Sequence, residues 1–252
     1  ICVVVLGVIT ALRGRGLVFT PRALTFYGVV ALVGTLIPNT TFYISVVHLP
    51  AGIMSIIIST IPLLAFPMAL VLGMEKFRAL RLAGLGLGLC GVALIALPRA
   101  SLPDPAMAAW LPLAMVGPLF YAVEGTFIAR FGTAGMAPVQ AMFGVSVVAM
   151  ALSLPVMLIL GQGMVPWPVG RPEAALLASS TLHGLLYATF VWLASRTGAV
   201  FATQSTYIVT ASGVVWAMVL LGERFSPMIF AALALMLAGV ALVRPHPRRE
   251  AA

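Results

Sequence analysis

The chain has 252 residues, of which 62% are hydrophobic and only 8% are charged. A soluble domain carries about 25% charged residues, so this composition excludes a soluble globular protein. The net charge of +8 does not indicate a nucleic-acid-binding protein, because the basic residues stand at the ends of apolar runs instead of in one patch.

Long unbroken apolar runs predict membrane-spanning helices, since a helix needs roughly 20 apolar residues to cross a bilayer and barrel strands would alternate instead. The predicted fold class is therefore an all-α polytopic membrane protein. In chain order, the predicted spans are a partial helix at 1–12 and full spans at 26–47, 50–72, 82–97, 109–130, 139–160, 174–195, 199–221 and 227–243.

The distribution of basic residues predicts the orientation of these spans. If the partial helix ends in the cytoplasm and the spans alternate, eleven of the 14 Lys and Arg residues lie inside, and only Arg99, Arg171 and Arg224 lie outside. Such a bias is typical of cytoplasmic loops. It predicts a multi-pass protein of the plasma (cytoplasmic, inner) membrane with a cytoplasmic C-terminal tail at 245–252.

An internal repeat relates the two halves of the chain. A shift of 148 residues places Glu75 on Glu223 and Gly91-Val92-Ala93-Leu94 on Gly239-Val240-Ala241-Leu242, and half of the positions between 69 and 94 are identical. The predicted orientation places the Glu75 loop inside and the Glu223 loop outside. The sequence therefore predicts an inverted repeat.

The repeat also predicts the size of the intact protein. Its first copy covers 1–98 and its second copy covers 106–244. The span at 109–130 has no counterpart in the first copy, and the partial helix at 1–12 matches only the end of the span at 139–160. We therefore expect five helices in each repeat and ten in all, of which this chain represents about nine.

Several short motifs carry a family resemblance. Leu49-Pro50-Ala51 opens a helix that contains Pro62 and closes with Gly73-Met74-Glu75, and the second copy has Gly198-Ala199 and Leu221-Gly222-Glu223-Arg224 at the corresponding places. Over essentially the whole chain, this pattern resembles the EamA-type domain of the drug/metabolite transporter superfamily. The resemblance implies ten helices in two inverted halves and transport of small metabolites, with the substrate left open.

Four hydrogen-bonding groups are predicted near the middle of the membrane. His183 lies near the centre of its span with Tyr187 one turn later, and their repeat counterparts are Thr35 and Asn39. Inverted-repeat transporters bind substrate close to the midplane. We interpret these residues as the lining of a substrate cavity, and the alternative is a histidine that only hydrogen-bonds between helices.

A polar stripe follows one face of the span at 199–221. Its members are Thr203, Thr206, Tyr207 and Thr210, with Gln204 beside them, and the first repeat places Ser55 and Ser59 at the positions that match Thr203 and Tyr207. Such hydroxyl groups often bond to their own helix. A stripe on two symmetry-related helices is more typical of a cavity wall, so these residues are predicted to contact substrate.

Glu124 is the only acidic residue well inside an apolar span. A carboxylate is costly to bury in a bilayer, so it should face an aqueous cavity, pair with a polar group or stay protonated. Together with Tyr121 on the same span, Glu124 is predicted to bind a proton or the positive end of a substrate. The alternative is an acid that reaches cytoplasmic water near Arg130.

The remaining motifs predict no other chemistry. Gly86-Leu87-Gly88-Leu89-Cys90-Gly91 matches a dinucleotide fingerprint, but it lies inside a span, where small residues favour helix packing. Cys2 and Cys90 are far apart in sequence, so neither a disulfide framework nor a metal site is expected. No cofactor is predicted.

These observations predict a secondary transporter that works by alternating access. Because no Lys or Arg lies mid-span, the expected substrate is a small neutral, zwitterionic or cationic metabolite rather than a phosphate. The other expected partners are the lipid bilayer, protons as one option for coupling and a second copy in a homodimer as one option for assembly, with no nucleic acid. Two alternatives stay open: an intramembrane enzyme that uses His183, and a non-transporting receptor or scaffold.

Overall fold

The computed structural model describes residues 1–74, 79–96, 104–159, 170–197 and 205–242, and their regular structure is helical. The α-helices are α1 (Cys2–Leu12), α2 (Pro21–Val30), α3 (Ile37–Val46), α4 (Ala51–Ile58), α5 (Ile61–Val71), α6 (Ala79–Ala96), α7 (Leu111–Phe131), α8 (Pro138–Ile159), α9 (Arg171–Thr197), α10 (Ser205–Leu221) and α11 (Pro227–Leu242). A 3₁₀ segment, Pro105–Trp110, precedes α7. The predicted all-α fold class is confirmed.

Four helical stretches in the described part of the chain are long and apolar enough to cross a membrane: Pro21–Val46, Ala51–Val71, Pro105–Phe131 and Pro138–Ile159. Large apolar side chains point outward from these stretches, and Val71 and Ile159 are 87% and 83% exposed. A monomeric soluble protein rarely exposes so much apolar surface, whereas lipid tails solvate it. This arrangement is that of an integral membrane protein.

Proline interrupts the predicted span at 26–47. Pro38 has no N–H group to donate to the carbonyl group of Gly34. The backbone between α2 and α3 adopts a π-helical segment, Ala31–Leu36, directly before this proline. Segments of this kind are often found at functional sites in helices.

A second proline divides the predicted span at 50–72. α4 ends at Ile58 and α5 begins at Ile61, because Pro62 cannot donate to the Ile58 carbonyl group. At the break, the hydroxyl groups of Ser59 and Thr60 donate to carbonyl groups three residues earlier, at 2.7 and 2.6 Å. The carbonyl groups of Ile56 and Ile57, just before the break, thus accept hydrogen bonds from side chains of the same stretch.

The helices form two compact units. Unit 1 comprises Ile1–Leu36 and Phe131–Ala199, and unit 2 comprises Ile37–Arg130 and Val200–Ala252. Each unit therefore combines a part of the first predicted repeat with a part of the second.

Tyr27 lies at the centre of unit 1, where α1 and α2 pack on α8. Its side chain is 2% exposed, and its hydroxyl group donates to the sulfur atom of Met136 at 2.9 Å. The ring lies directly against Gly144 of α8, where a Cβ atom would overlap it. Glycine at this position lets the aromatic ring fill the space between the helices.

Unit 2 is built on two helix pairs, α4 with α10 and α6 with α11. Its apolar core draws on these pairs and on the start of α7. The buried members of the core are Leu49, Ile53, Met54, Ile56, Ile57, Leu111, Ala114, Val214, Ile229, Ala232 and Met236.

The pair of α6 and α11 is held together by reciprocal glycine contacts. A Cβ atom on Gly91 would lie 2.9 Å from the carbonyl oxygen of Ala232, and one on Gly239 would lie 2.5 Å from that of Gly84. Gly91 and Gly239 are counterparts in the repeat, and so are Gly84 and Ala232. The small residues let the two backbones approach closely. Each helix makes the same contact with the other, through equivalent positions of the repeat.

Candidate functional site

Unit 2 brings together three of the predicted site residues on α3 and α7. The hydroxyl group of Tyr121 donates to Oδ1 of Asn39 at 3.4 Å. Glu124 follows Tyr121 by three residues, so the two side chains lie on the same face of α7. The Glu124 side chain is 5% exposed. A carboxyl group therefore lies beside a phenol–amide pair within a membrane-spanning stretch.

A small residue brings α7 close enough to α3 for this pairing. A Cβ atom on Gly117, one turn before Tyr121, would lie 3.7 Å from both the carbonyl oxygen of Pro38 and Oγ1 of Thr41. The Thr41 hydroxyl group donates to the Pro38 carbonyl group at 3.0 Å. The close approach positions Asn39, which follows Pro38, within reach of the Tyr121 hydroxyl group.

Ser55 and Ser59 bond to their own helix. Oγ of Ser55 donates to the carbonyl group of Ala51 at 3.1 Å and lies against Gly213 of α10. Ser59 is 1% exposed and donates to the carbonyl group of Ile56. These are the local bonds that such hydroxyl groups commonly form. Contact of either serine with substrate stays a prediction.

Thr210 differs from the two serines because no bond from its hydroxyl group to its own helix is found. The residue is 0% exposed, and Oγ1 has no hydrogen-bond partner among the residues that the structure describes. Thr210 lies one turn before Gly213, on the face of α10 that packs against α4. A buried polar group left without a partner costs about 1–3 kcal/mol.

His183 and Tyr187 lie on α9 in unit 1. Their rings are stacked, with centroids 5.7 Å apart and planes inclined by 26°. His183 is exposed and Tyr187 is partly buried. Thr35, also in unit 1, lies in the π-helical segment.

Other predicted contacts lie outside the described residues. This is true of Thr203 and Gln204, and the side chain of Tyr207 is likewise not described. Glu75, the repeat counterpart of Glu223, is also outside.

Two buried or aromatic features of unit 2 were not predicted. Ser45 of α3 is 0% exposed, and within the described part of the chain its hydroxyl group has no hydrogen-bond partner. The imidazole ring of His48 stacks on the indole ring of Trp110 at 3.6 Å, with planes inclined by 7°. A serine in an apolar span was visible in the sequence, but the ring stacking joins the turn after α3 to the end of the 3₁₀ segment and had no sequence signal.

The role of Glu223 was also missed, although the repeat identified the residue. Its carboxylate oxygens accept hydrogen bonds from the N–H groups of Ala51 and Gly52, at 2.7 and 3.0 Å. Pro50, the residue before Ala51, is the N-cap of α4, and its side chain cannot accept a hydrogen bond. A proline that opens a helix is a signal that the cap must come from elsewhere.

Within the part of the chain that the structure describes, no three His, Cys, Asp or Glu side chains come together to hold a metal ion. Cys2 and Cys90 are both free thiols.

Comparison with known proteins identifies the family. The model of the EamA-like transporter family matches residues 1–97 and 108–244, which is nearly the whole chain. No curated protein shows significant similarity to it. The match confirms the resemblance carried by the Leu49-Pro50-Ala51 and Glu223 motifs. The chain belongs to the EamA-like transporter family, whose members are polytopic all-helical membrane transporters of the drug/metabolite transporter superfamily.

Proposed function

We propose that this chain is a secondary transporter that moves a small neutral, zwitterionic or cationic metabolite by alternating access. Family membership supports transport. The predicted spans have no Lys or Arg near their middle. The observation that carries the substrate class is the buried carboxyl group of Glu124 beside Tyr121 and Asn39. A carboxylate in a low-dielectric site attracts a cationic group or a proton and repels a phosphate.

The proposed mechanism requires two inverted halves, 1–98 and 106–244. The reciprocal contacts of Gly91 and Gly239 support this arrangement, because a twofold relation makes contacts occur in matched pairs. In transporters of this architecture, one half rocks against the other and exposes a midplane site to each side in turn. Energy would come from an ion gradient or from the gradient of the substrate itself.

We assign binding roles according to the chemistry of each side chain. Glu124 holds the positive end of the substrate or a proton, and Tyr121 and Asn39 hydrogen-bond its polar groups. Further contacts in the transport cycle are assigned to Ser55, Ser59, His183, Tyr187, Thr203, Gln204, Tyr207 and Thr210. No step requires a cofactor.

The proposed orientation follows from the positive-inside bias. We propose that the protein is integral to the plasma membrane, with its C-terminus in the cytoplasm. If Glu124 takes up a proton from one side and releases it on the other, the proton gradient drives the conformational change. A homodimer is compatible with this arrangement.

Counterflow in proteoliposomes tests the proposal. Vesicles are preloaded with a cationic, zwitterionic, neutral or phosphorylated metabolite, and entry of the labelled compound is measured with and without a pH gradient. We expect entry of compounds from the first three classes and none of phosphates. Entry restricted to phosphorylated compounds would contradict the substrate class. Chemical turnover lost in His183→Ala, without any flux, would instead favour the intramembrane enzyme.

A further inference from the structure

A cavity of about 370 Å³ lies in unit 1 beside the C-terminal end of α1. Its walls are formed by Thr10, Arg13, Arg15, Ala137, Val139 and Gln140. None of these residues is a predicted substrate contact, so transport of the substrate does not account for the two arginines.

Backbone hydrogen bonds hold both arginines at the cavity. The N–H group of Gly14 donates to the carbonyl group of Ala11 at 2.9 Å, and that of Arg15 donates to Thr10 at 3.0 Å. These two bonds form a Schellman motif, in which Gly14 adopts a left-handed φ of 62°. The motif ends α1 and fixes the backbone of Arg13 and Arg15 on either side of the glycine.

The opposite wall is the first turn of α8. Nε2 of Gln140 donates to the carbonyl group of Gly16 at 2.7 Å and so fastens the loop after α1 to this turn. Ala137, the residue before α8, has no side-chain acceptor for a cap. The first N–H groups of any α-helix have no acceptor within the helix, and the helix dipole adds positive potential at this end.

Unit 1 does not compensate this positive charge. Its two segments, 1–36 and 131–199, contain a single acidic residue, Glu173. That carboxylate accepts a hydrogen bond from the N–H group of Gly170 at 2.9 Å, at the start of α9. The cavity is thus lined by two arginines beside the start of a helix, in a unit whose sequence contains no second acidic residue.

We propose that this cavity binds an anionic phosphate group, supplied by a phospholipid headgroup or by free phosphate. Guanidinium groups bind phosphate oxygens through paired hydrogen bonds, and the start of a helix binds the same anions. Basic pockets on the cytoplasmic side of membrane helices recognise anionic headgroups. The predicted orientation places Arg13 and Arg15 on that side, where anionic lipids are concentrated.

Lipid binding to the purified chain tests this proposal. Phosphatidylglycerol and phosphatidylcholine are titrated at equal mole fraction, and bound lipid is counted by native mass spectrometry. We expect phosphatidylglycerol to bind preferentially, and R13Q/R15Q to weaken its binding about 30-fold, as expected for the loss of two hydrogen-bonding partners of the phosphate group. R13K/R15K keeps the charge and the membrane orientation, so it should lose less affinity than R13Q/R15Q. It should still lose some, because lysine makes no paired bonds.

Arg22→Gln is the matched control, because Arg22 is an exposed arginine of unit 1 that lies outside the cavity walls. It should bind phosphatidylglycerol like the unaltered chain.

Displacement of the lipid by millimolar inorganic phosphate supports a site for free phosphate, and retention of the lipid supports the headgroup as the source. Equal binding by the unaltered chain, R13Q/R15Q and R13K/R15K, or an equal loss in Arg22→Gln, would overturn the proposal. Neither result depends on transport activity.

Discussion

The carboxylate of Glu223, just beyond the end of α10, accepts a hydrogen bond from the N–H group of Ala51 at the start of α4, at 2.7 Å. Its second oxygen accepts a bond from the N–H group of Gly52 at 3.0 Å. Because Pro50 cannot cap α4 with its own side chain, the cap comes from a residue far away in sequence. This contact joins the C-terminal end of α10 to the N-terminal end of α4, the helix against which α10 packs.

Removal of the Glu223 cap should destabilise the protein. Glu223→Ala leaves two backbone donors without a charged acceptor, and we expect the free energy of unfolding to fall by about 2 kcal/mol. Glu223→Gln keeps one acceptor oxygen and should lose about half as much. Thermal unfolding in detergent measures both changes. Arg224→Ala, at the adjacent exposed position, is the control, and an equal melting temperature for Glu223→Ala and Arg224→Ala would contradict the cap.

Glycine packing between α6 and α11 predicts a sharp difference between two substitutions. Gly239→Ala places a Cβ atom 2.5 Å from the carbonyl oxygen of Gly84, so the helices must separate. We expect a loss of about 1–3 kcal/mol in unfolding free energy. Gly86→Ala meets no atom within 4 Å and should be neutral or slightly stabilising. Equal thermal stability of the two variants would show that the contact is absent.

Thr210 should show a conflict between stability and function. Thr210→Val keeps the shape of the side chain and removes a buried hydroxyl group that has no hydrogen-bond partner among the described residues, so the free energy of unfolding should rise by about 1 kcal/mol. Uptake should fall, because we propose that this hydroxyl group contacts substrate during transport. In the control, Thr126→Val, the lost hydroxyl group donates to the Ala122 carbonyl group at 2.7 Å, so no gain in stability is expected. Wild-type flux in Thr210→Val would remove Thr210 from the site.

The hydrogen bond between Tyr121 and Asn39 predicts a defect in substrate binding. Tyr121→Phe keeps the ring and removes the donor, and we expect the KM for uptake to rise about fivefold, the value of one hydrogen bond. Thr25→Val is the control, since Thr25 is an exposed residue of unit 1 whose hydroxyl group donates to the carbonyl group of Pro21. Initial uptake rates across a substrate series measure the KM. An identical KM in the two variants would argue against a binding role for Tyr121.

The helices could be predicted from the sequence because the thickness of the bilayer sets their length. The predicted spans at 109–130 and 139–160 agree closely with α7 and α8. Pro62 was visible in the sequence, but the resulting division into α4 and α5 depends on how the backbone recovers its lost hydrogen bond. The pattern of apolar residues alone does not predict where such a span is divided.

The candidate site could be predicted only in part. Glu124 and Tyr121 stand out because polar side chains are rare in an apolar span. The partner of Tyr121 could not be predicted, since the approach of α3 depends on a small residue, Gly117, on the facing helix. The stripe of hydroxyl groups was visible too, but whether Ser59 bonds to its own helix or to substrate depends on its rotamer.

The central claim is that the carboxyl group of Glu124 couples substrate movement to the conformational change. Glu124→Gln keeps the size and hydrogen bonding of the protonated side chain but cannot release a proton. The decisive measurement is flux against an imposed pH gradient in proteoliposomes, with His183→Ala run in parallel as the other titratable candidate. We predict that Glu124→Gln abolishes accumulation driven by the pH gradient and retains exchange down the substrate gradient, and that Glu124→Asp gives a partial loss. Wild-type accumulation by Glu124→Gln would contradict the account.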